Sequence, residues 1–235
     1  MNLYAGTSGF SYKEWKGYFY PEKIAPDQML NFYSTKLPAV EINNTFYRLP
    51  RREALEGWAS QVPPDFRFAV KASQKITHMK RLKNADEETG YLMDVVGAME
   101  QKLGVVFFQL PPNFKKDVER LQVFLDTLPE GTPVAWEFRH ATWFDDEVYE
   151  LLRKYDAALC LADADDELEV PLVSTATWGY LRLRRPDYSR DELQRWYGWI
   201  RDQKWKNAFV FFKHEDAGAG PKMAMEFLGL ERRGP

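Results

Sequence analysis

Short apolar runs alternate along the chain with segments in which apolar residues recur at helical spacing. Most of the short runs are continuously apolar, as expected for parallel strands that are covered on both faces. They predict eight strands, at residues 3–7, 39–43, 67–71, 104–110, 133–138, 158–163, 178–183 and 208–213. The helical patterns predict helices at residues 26–36, 51–61, 90–103, 116–128, 145–155, 189–204 and 220–230.

This alternation predicts the α/β class and a (β/α)8 TIM-like barrel, formed by a single domain over residues 1–235. Residues 164–177 carry no helical pattern, so we expect a slightly incomplete barrel in which the sixth helix is missing. A doubly wound open sheet is the alternative. The segment Gly6-Thr7-Ser8-Gly9 after the first strand lacks the GxGxxG spacing typical of that fold.

Composition narrows the function classes. Hydrophobic residues make up 45% of the chain and the net charge is −3, which gives no overall attraction to nucleic acid or to an acidic membrane. A local basic patch remains compatible with that charge. The sequence shows neither a signal-peptide pattern nor an apolar run long enough for a membrane helix. The single cysteine, Cys160, lies in an apolar strand and is expected to be a buried thiol, which fits a cytoplasmic protein.

Two predicted strands carry a carboxylate near their ends, Glu41 in the second and Glu137 in the fifth. A charge in an apolar strand is costly unless it is paired or lies at an open end. The strand ends of a barrel converge on one face, so both glutamates are candidate catalytic residues, as acid and base of a hydrolase or lyase. The alternative is a structural ion network with Lys71, Arg139 or Arg182.

Other polar and aromatic residues follow the strand ends and form the candidate ligand-binding set. Its members are Ser8, Trp15, Asn43, Thr45, Tyr47, Lys71, His78, Gln109, Arg139, His140, Trp143, Asp163, Arg182, Lys213 and His214. We expect Arg139, Arg182 and Lys213 to hold an anion. Trp15, Tyr47 and Trp143 are candidate stacking groups, although core packing is the commoner role of tryptophan.

The chain offers little for a metal or a cofactor. It contains three histidines and one cysteine, and no HxH, HExxH or CxxC pattern. We therefore expect neither a metal site nor a bound cofactor.

Four ordered motifs carry a resemblance to a known family. They are Gly6-Thr7-Ser8-Gly9-Phe10, Glu41-Ile42-Asn43-Asn44-Thr45-Phe46-Tyr47, Phe108-Gln109-Leu110-Pro111-Pro112 and Glu137-Phe138-Arg139-His140 followed by Trp143. Over nearly the full chain the sequence resembles the DUF72 family, also called YecE-like proteins. The resemblance implies a TIM-like barrel and no established reaction. Many members place Phe-Asn-Asn-His on the last strand, where this chain has Phe212-Lys213-His214, and a histidine where Arg184 stands.

These observations favour a metal-independent enzyme or binder of a small anionic or polyhydroxylated ligand, phosphorylated ligands included, at the mouth of the barrel. The resemblance brings a second hypothesis, a nucleic-acid-binding or nucleic-acid-processing module, against which the net charge argues. A non-catalytic scaffold whose buried charges are only structural is the third.

Overall fold

Eight parallel strands close in sequential order into a barrel in the computed structural model, which describes residues 1–164, 168–213 and 218–231. The strands are β1 (Asn2–Ser8), β2 (Ala39–Ile42), β3 (Arg67–Lys71), β4 (Leu103–Gln109), β5 (Val134–Glu137), β6 (Ala158–Asp163), β7 (Gly179–Leu183) and β8 (Asn207–Phe212). The helices are α1 (Met29–Ser34), α2 (Arg52–Ser60), α3 (Asp86–Gly97), α4 (Val118–Asp126), α5 (Asp146–Lys154), α6 (Arg190–Asp202) and α7 (Ala219–Glu231). Single turns lie at Lys13–Trp15, Pro26–Gln28, Asn44–Phe46, Lys75–Met79, Glu100–Lys102 and Ala141–Trp143.

The predicted TIM-like barrel is confirmed, and one helix differs clearly from its predicted bounds. The third helix begins at Asp86, before the predicted residue 90, and ends at Gly97. Its first turn holds Asp86, Glu87 and Glu88, whose charges favour a helix N-terminus. The prediction followed the apolar residues alone and therefore missed this turn, and it ran into Leu103, which begins β4.

The connection between β6 and β7 lacks a helix in its described residues, 164 and 168–178, as predicted. The Thr175 side chain joins this connection to the chain at the start of β6 by two hydrogen bonds. The Thr175 hydroxyl accepts from the Leu159 amide over 2.7 Å and donates to the Ala157 carbonyl over 2.8 Å. These bonds hold the connection against the start of β6.

The interior of the barrel changes from apolar to polar along the strands. A cluster of alternate strand residues fills its apolar layer: Ala39, Ala69, Val105, Phe107, Ala135, Ala158, Cys160, Trp178, Tyr180, Phe209 and Phe211. Side chains alternate between the two faces of a strand, so the next interior position lies two residues further on. Those positions include Glu41, Lys71, Gln109, Glu137 and Arg182. The apolar layer therefore supports a polar layer at the carboxyl ends of the strands, which we call the mouth.

One neighbouring pair of strands is joined over a short length. Between β5 and β6 the register extends only over Ala135–Ala158 and Trp136–Leu159, whereas β6 and β7 share four registered pairs. We call this short contact the β5–β6 seam. No helix within the described ranges is long and apolar enough to cross a membrane.

The contact between β1 and β2 requires a residue without a side chain at Gly6. Gly6 is registered with Ala39, and a Cβ atom there would lie 1.9 Å from the Ala39 carbonyl oxygen. That oxygen also accepts a hydrogen bond from the Tyr33 hydroxyl over 2.9 Å. Both strands would have to move apart to admit even a methyl group.

We expect Gly6→Ala to lower the free energy of unfolding by about 3 kcal/mol, near the upper end of overpacking effects. The matched control is Gly57→Ala in α2, where a Cβ atom would meet nothing within 4 Å. That change should raise the free energy of unfolding by about 0.5–1 kcal/mol, because alanine favours the helix. Urea denaturation of both variants measures the contrast, and equal stabilities would contradict it.

Candidate functional site in the barrel mouth

Arg182 lies inside the mouth and joins the two glutamates. Its Nη1 donates to Glu137 Oε2 over 2.7 Å, and its Nη2 donates to Glu41 Oε1 over 3.0 Å. The Nε atom lies 2.9 Å from Glu41 Oε2. The side chains of Arg182, Glu41 and Glu137 are 5%, 0% and 2% exposed, so this is a buried network of one cation and two anions.

Glu41 is held by four side chains at once. Besides Arg182, it accepts from Tyr180 over 2.6 Å, Ser8 over 2.7 Å and Asn43 over 2.8 Å. Ser8 can reach it because β1 and β2 are registered at this pair. Burial alone would raise the pKa of Glu41, but Arg182 and these hydrogen bonds outweigh burial and lower the pKa to about 2.

Glu137 is linked to Lys71 through an amide. Gln109 is registered with Glu137, donates its Nε2 to Glu137 Oε1 over 2.7 Å, and accepts from Lys71 Nζ over 2.9 Å. Burial acts to raise the pKa of Glu137, but Arg182 and Arg184 lower it below its ordinary value. Both glutamates are therefore carboxylates at neutral pH.

Lys71 has an unusual environment for a lysine. Its Nζ lies 4.4 Å from the centre of the Phe46 ring, and 9% of the residue is exposed. Burial, assisted by the charge of Arg182, lowers the pKa of Lys71 to about 8, and the attraction of Glu41 and Glu137 only partly opposes this. The amine therefore changes between its charged and uncharged forms close to physiological pH.

Positive charge exceeds negative charge in this part of the mouth. Arg184 Nη2 lies 3.8 Å from Glu137 Oε1, and Arg139 is near enough to act on the pKa of Lys71. Among the described residues of this network, the four cations Lys71, Arg139, Arg182 and Arg184 outnumber the two carboxylates Glu41 and Glu137. Arg139 and Arg184 are partly exposed, unlike Arg182.

Three further predicted residues lie around this network. Thr45 is buried and donates to the Lys71 carbonyl over 2.6 Å, so it supports the strand end. His78 packs against the Phe46 ring, with 4.9 Å between ring centres, and its Nδ1 lies 2.9 Å from the Thr77 hydroxyl. Burial and the charge of Lys71 lower the pKa of His78 below its ordinary value, so the ring is neutral at neutral pH. Tyr47 is 75% exposed.

Other predicted residues have structural partners elsewhere. His140 Nδ1 accepts from the Thr142 amide over 3.2 Å and caps the turn that follows β5. Asp163 pairs with Arg185 over 3.1 Å. Lys213 is exposed directly after β8, and His214 lies outside the described residues.

The two tryptophans predicted to stack on a ligand are buried in the core. Trp15 and Trp143 are 1% and 0% exposed, so neither ring presents a face to the mouth. Trp143 stacks on Phe138 with 4.7 Å between ring centres and donates its Nε1 to the Phe114 carbonyl over 2.7 Å. Both rings follow strand ends, as the prediction required, but packing covers them.

Sequence reasoning missed two residues that shape the site, Tyr180 and Phe46. Tyr180 lies within the predicted strand 178–183, and its hydroxyl donates to Glu41. Its spacing of two from Arg182 could have shown that both share the interior face. No comparable signal marks Phe46, which contacts Lys71 from the turn after β2.

Two features bear on where a ligand could bind. A pocket of about 250 Å³ beside the mouth is lined by Phe10, Tyr12, Asn43 and Trp58, among others. A cavity of about 480 Å³ lies at the opposite, amino-terminal end of the barrel, near Tyr4. In this fold the carboxyl end carries the chemistry. In the described part of the chain, no three residues among His, Cys, Asp and Glu are grouped as metal ligands.

We expect Arg182→Leu to lower the free energy of unfolding at pH 7 by about 3–5 kcal/mol, since it leaves two buried carboxylates without their cation. Burial would then raise the pKa of Glu41 and Glu137, so the variant should gain stability as the pH falls from 7 to 5. The wild type should behave oppositely. Its stabilisation by Glu41 is complete above the ordinary pKa of 4.5 and is lost as the pH falls toward 2.

The matched control is Arg185→Leu, which removes a partly exposed arginine that pairs with Asp163 and Glu192. Partly exposed pairs contribute little, so its loss should stay within about 1 kcal/mol. Urea denaturation between pH 3 and 8 makes the comparison. Parallel pH profiles for Arg182→Leu and the wild type would show that Arg182 does not keep the glutamates charged.

Several known proteins are similar to this chain. The UPF0759 protein YunF of Bacillus subtilis is 27% identical over 99% of this chain and 96% of its own length. The UPF0759 protein YecE of Escherichia coli K12 is 31% identical over 49% of this chain and 43% of its own length. A crystal structure of a DUF72 family protein from Thermotoga maritima superposes with a TM-score of 0.88 at 28% identity, covering 99% of this chain and 100% of that one.

A second solved DUF72 family protein, from Enterococcus faecalis, gives a TM-score of 0.79 at 18% identity and covers 98% of each chain, which shows the common fold. The family model described as a protein of unknown function, DUF72, matches residues 4–233. The match reaches all eight strands of the barrel. The chain therefore belongs to the DUF72 family.

Proposed function

We propose that the mouth of the barrel binds a small anionic ligand that is phosphorylated or polyhydroxylated. The observation that carries the proposal is the excess of positive charge around Lys71. Arg182 pairs with two carboxylates and Arg184 lies 3.8 Å from Glu137, so Lys71 and Arg139 are the cations best placed to face an incoming anion. A partly dry site strengthens such attraction, because few waters screen the charges.

Polar groups beside these cations suit a ligand with hydroxyl groups. The Oδ1 atom of Asn43 is buried and accepts no hydrogen bond within the described chain, while its Nδ2 donates to Glu41. A buried acceptor without a donor is uncommon, and a ligand hydroxyl could supply the missing donor. Asn43 also lines the 250 Å³ pocket beside the mouth.

Glu41 and Glu137 serve as anchors in this proposal. A general acid at neutral pH needs a raised pKa, and a general base needs a pKa near the working pH. The pKa values of both glutamates are lowered, and both carboxylates already accept hydrogen bonds from neighbouring strands. They suit the task of orienting Arg182 and Gln109 better than the transfer of protons.

Binding of glycerol 3-phosphate should weaken about tenfold between pH 7 and pH 9, since Lys71 loses its charge around pH 8. Lys71→Met should weaken binding at pH 7 and remove most of this pH dependence. The variant should fold, because burial already disfavours the charge that it removes. Isothermal titration calorimetry and thermal shift measure affinity, with glycerol as the ligand that lacks the phosphate.

The matched control is Lys206→Met, directly before β8 on the opposite end of the barrel, which should bind as the wild type does. Two results would contradict the proposal. One is wild-type affinity in Lys71→Met. The other is the absence of any stabilisation by glycerol 3-phosphate or inorganic phosphate at millimolar concentration.

A further inference from the structure

Lys71 differs from Arg182 and Arg184 in its lack of a paired carboxylate. In the described ranges no carboxylate oxygen lies within ion-pair distance of its Nζ, and its hydrogen-bond partner is the neutral Gln109 amide. Arg182, by contrast, contacts two carboxylates. A buried lysine without an anion is costly and loses its proton readily.

The network itself keeps the glutamates away from Lys71. The oxygens of Glu41 accept from Ser8, Asn43, Tyr180 and Arg182. Glu137 accepts from Gln109 and Arg182, and the Gln109 amide joins it to Lys71 by hydrogen bonds without a direct ion pair. The barrel register fixes the strand ends from which these donors come.

Burial and the surrounding charges decide the protonation of this amine. Its Nζ lies over two aromatic rings, 4.4 Å from the centre of Phe46 and 5.9 Å from that of Phe107, and these contacts favour the ammonium, whereas burial favours the uncharged amine and outweighs them. The charged groups that act on it are Arg182 and Arg139, which disfavour the ammonium, and Glu41 and Glu137, which favour it. With a pKa of about 8, roughly one tenth of the amine is uncharged at pH 7 and about half at pH 8.

We propose that Lys71 is a catalytic amine that forms an imine with the carbonyl group of a small anionic aldehyde or ketone held in the mouth. This inference rests on the anion site proposed above and names its substrate class. Arg139 and Arg184 hold the phosphate or carboxylate of the ligand, and the Gln109 carbonyl oxygen orients the amine. An unprotonated lysine in an apolar site is the form that attacks carbonyl groups.

The step balances without an oxidant or a reductant. The lone pair of Nζ forms a bond to the carbonyl carbon, and the carbonyl π electrons move to the oxygen. The two protons of the amine pass to that oxygen, which leaves as water, and a carbon–nitrogen double bond remains. The imine nitrogen then takes up one proton from solvent, and the resulting cation lies near Glu41 and Glu137, whose charges favour it.

Reductive trapping tests the inference. The protein is incubated at pH 7.5 with dihydroxyacetone phosphate and sodium cyanoborohydride, digested and analysed by mass spectrometry. We expect an adduct on Lys71 equal in mass to the ligand less one oxygen atom, formed at least tenfold faster than on Lys206. Lys71→Arg, which keeps the charge and lacks the nucleophile, should form no adduct at this position.

A second measurement needs no variant and no anion site. Competitive labelling of the wild type with acetic anhydride across pH 6–11 should give Lys71 a midpoint near 8, below the model lysine value of 10.5. An ordinary midpoint for Lys71 overturns the catalytic amine. So does an adduct spread evenly over surface lysines.

The outcomes separate the two proposals. Stabilisation by glycerol 3-phosphate without trapping on Lys71 overturns the imine and leaves the anion site standing. Absence of any phosphate binding overturns the anion site and, with it, the proposed substrate class. Selective labelling of Lys71 in that second case would show a reactive lysine that serves no anionic carbonyl compound.

Discussion

The mouth of this barrel depends on one buried guanidinium. Arg182 lies among apolar rings, with Phe107 4.9 Å from its centre, and such burial is tolerated only because two carboxylates share its charge. Among the described residues, Glu41 forms no other ion pair, and Glu137 forms one more, at 3.8 Å, with the partly exposed Arg184. Each of these groups would be unstable alone at its position, so the three charges constrain one another and fix the positions of strands β2, β5 and β7.

The pairing of Arg182 with the two glutamates determines the environment of the neighbouring side chains. Glu41 and Glu137 accept short hydrogen bonds from neighbouring side chains, and the lowered pKa of each keeps it a carboxylate at neutral pH. The amine of Lys71, at the end of β3, has only an amide as its hydrogen-bond partner, and burial together with the charge of Arg182 lowers its pKa. Arg182 thus has a permanent charge with a structural role, whereas the charge of Lys71 depends on pH.

The barrel could be predicted from the sequence because its evidence is local, in apolar runs, their spacing and a connection without a helical pattern. The site could be predicted only in part. Arg182 reaches Glu41 because the barrel closes and brings together residues more than a hundred positions apart. Trp15 and Trp143 follow strand ends as stacking groups would, and only tertiary packing decides that they are buried. Alternation within β7 offered a usable signal for Tyr180, two positions before Arg182.

The β5–β6 seam lies next to this network. Arg182 on β7 holds Glu137 on β5, so the ion pair passes over β6 and ties together the strands on either side of it. Backbone amide protons exchange with solvent when neighbouring strands open locally. The short register between β5 and β6 provides few hydrogen bonds that oppose such opening. The ion pair therefore holds β5 and β7 together. Opening of the barrel between β5 and β7 requires these charges to separate, which couples local opening at the seam to the electrostatics of the mouth.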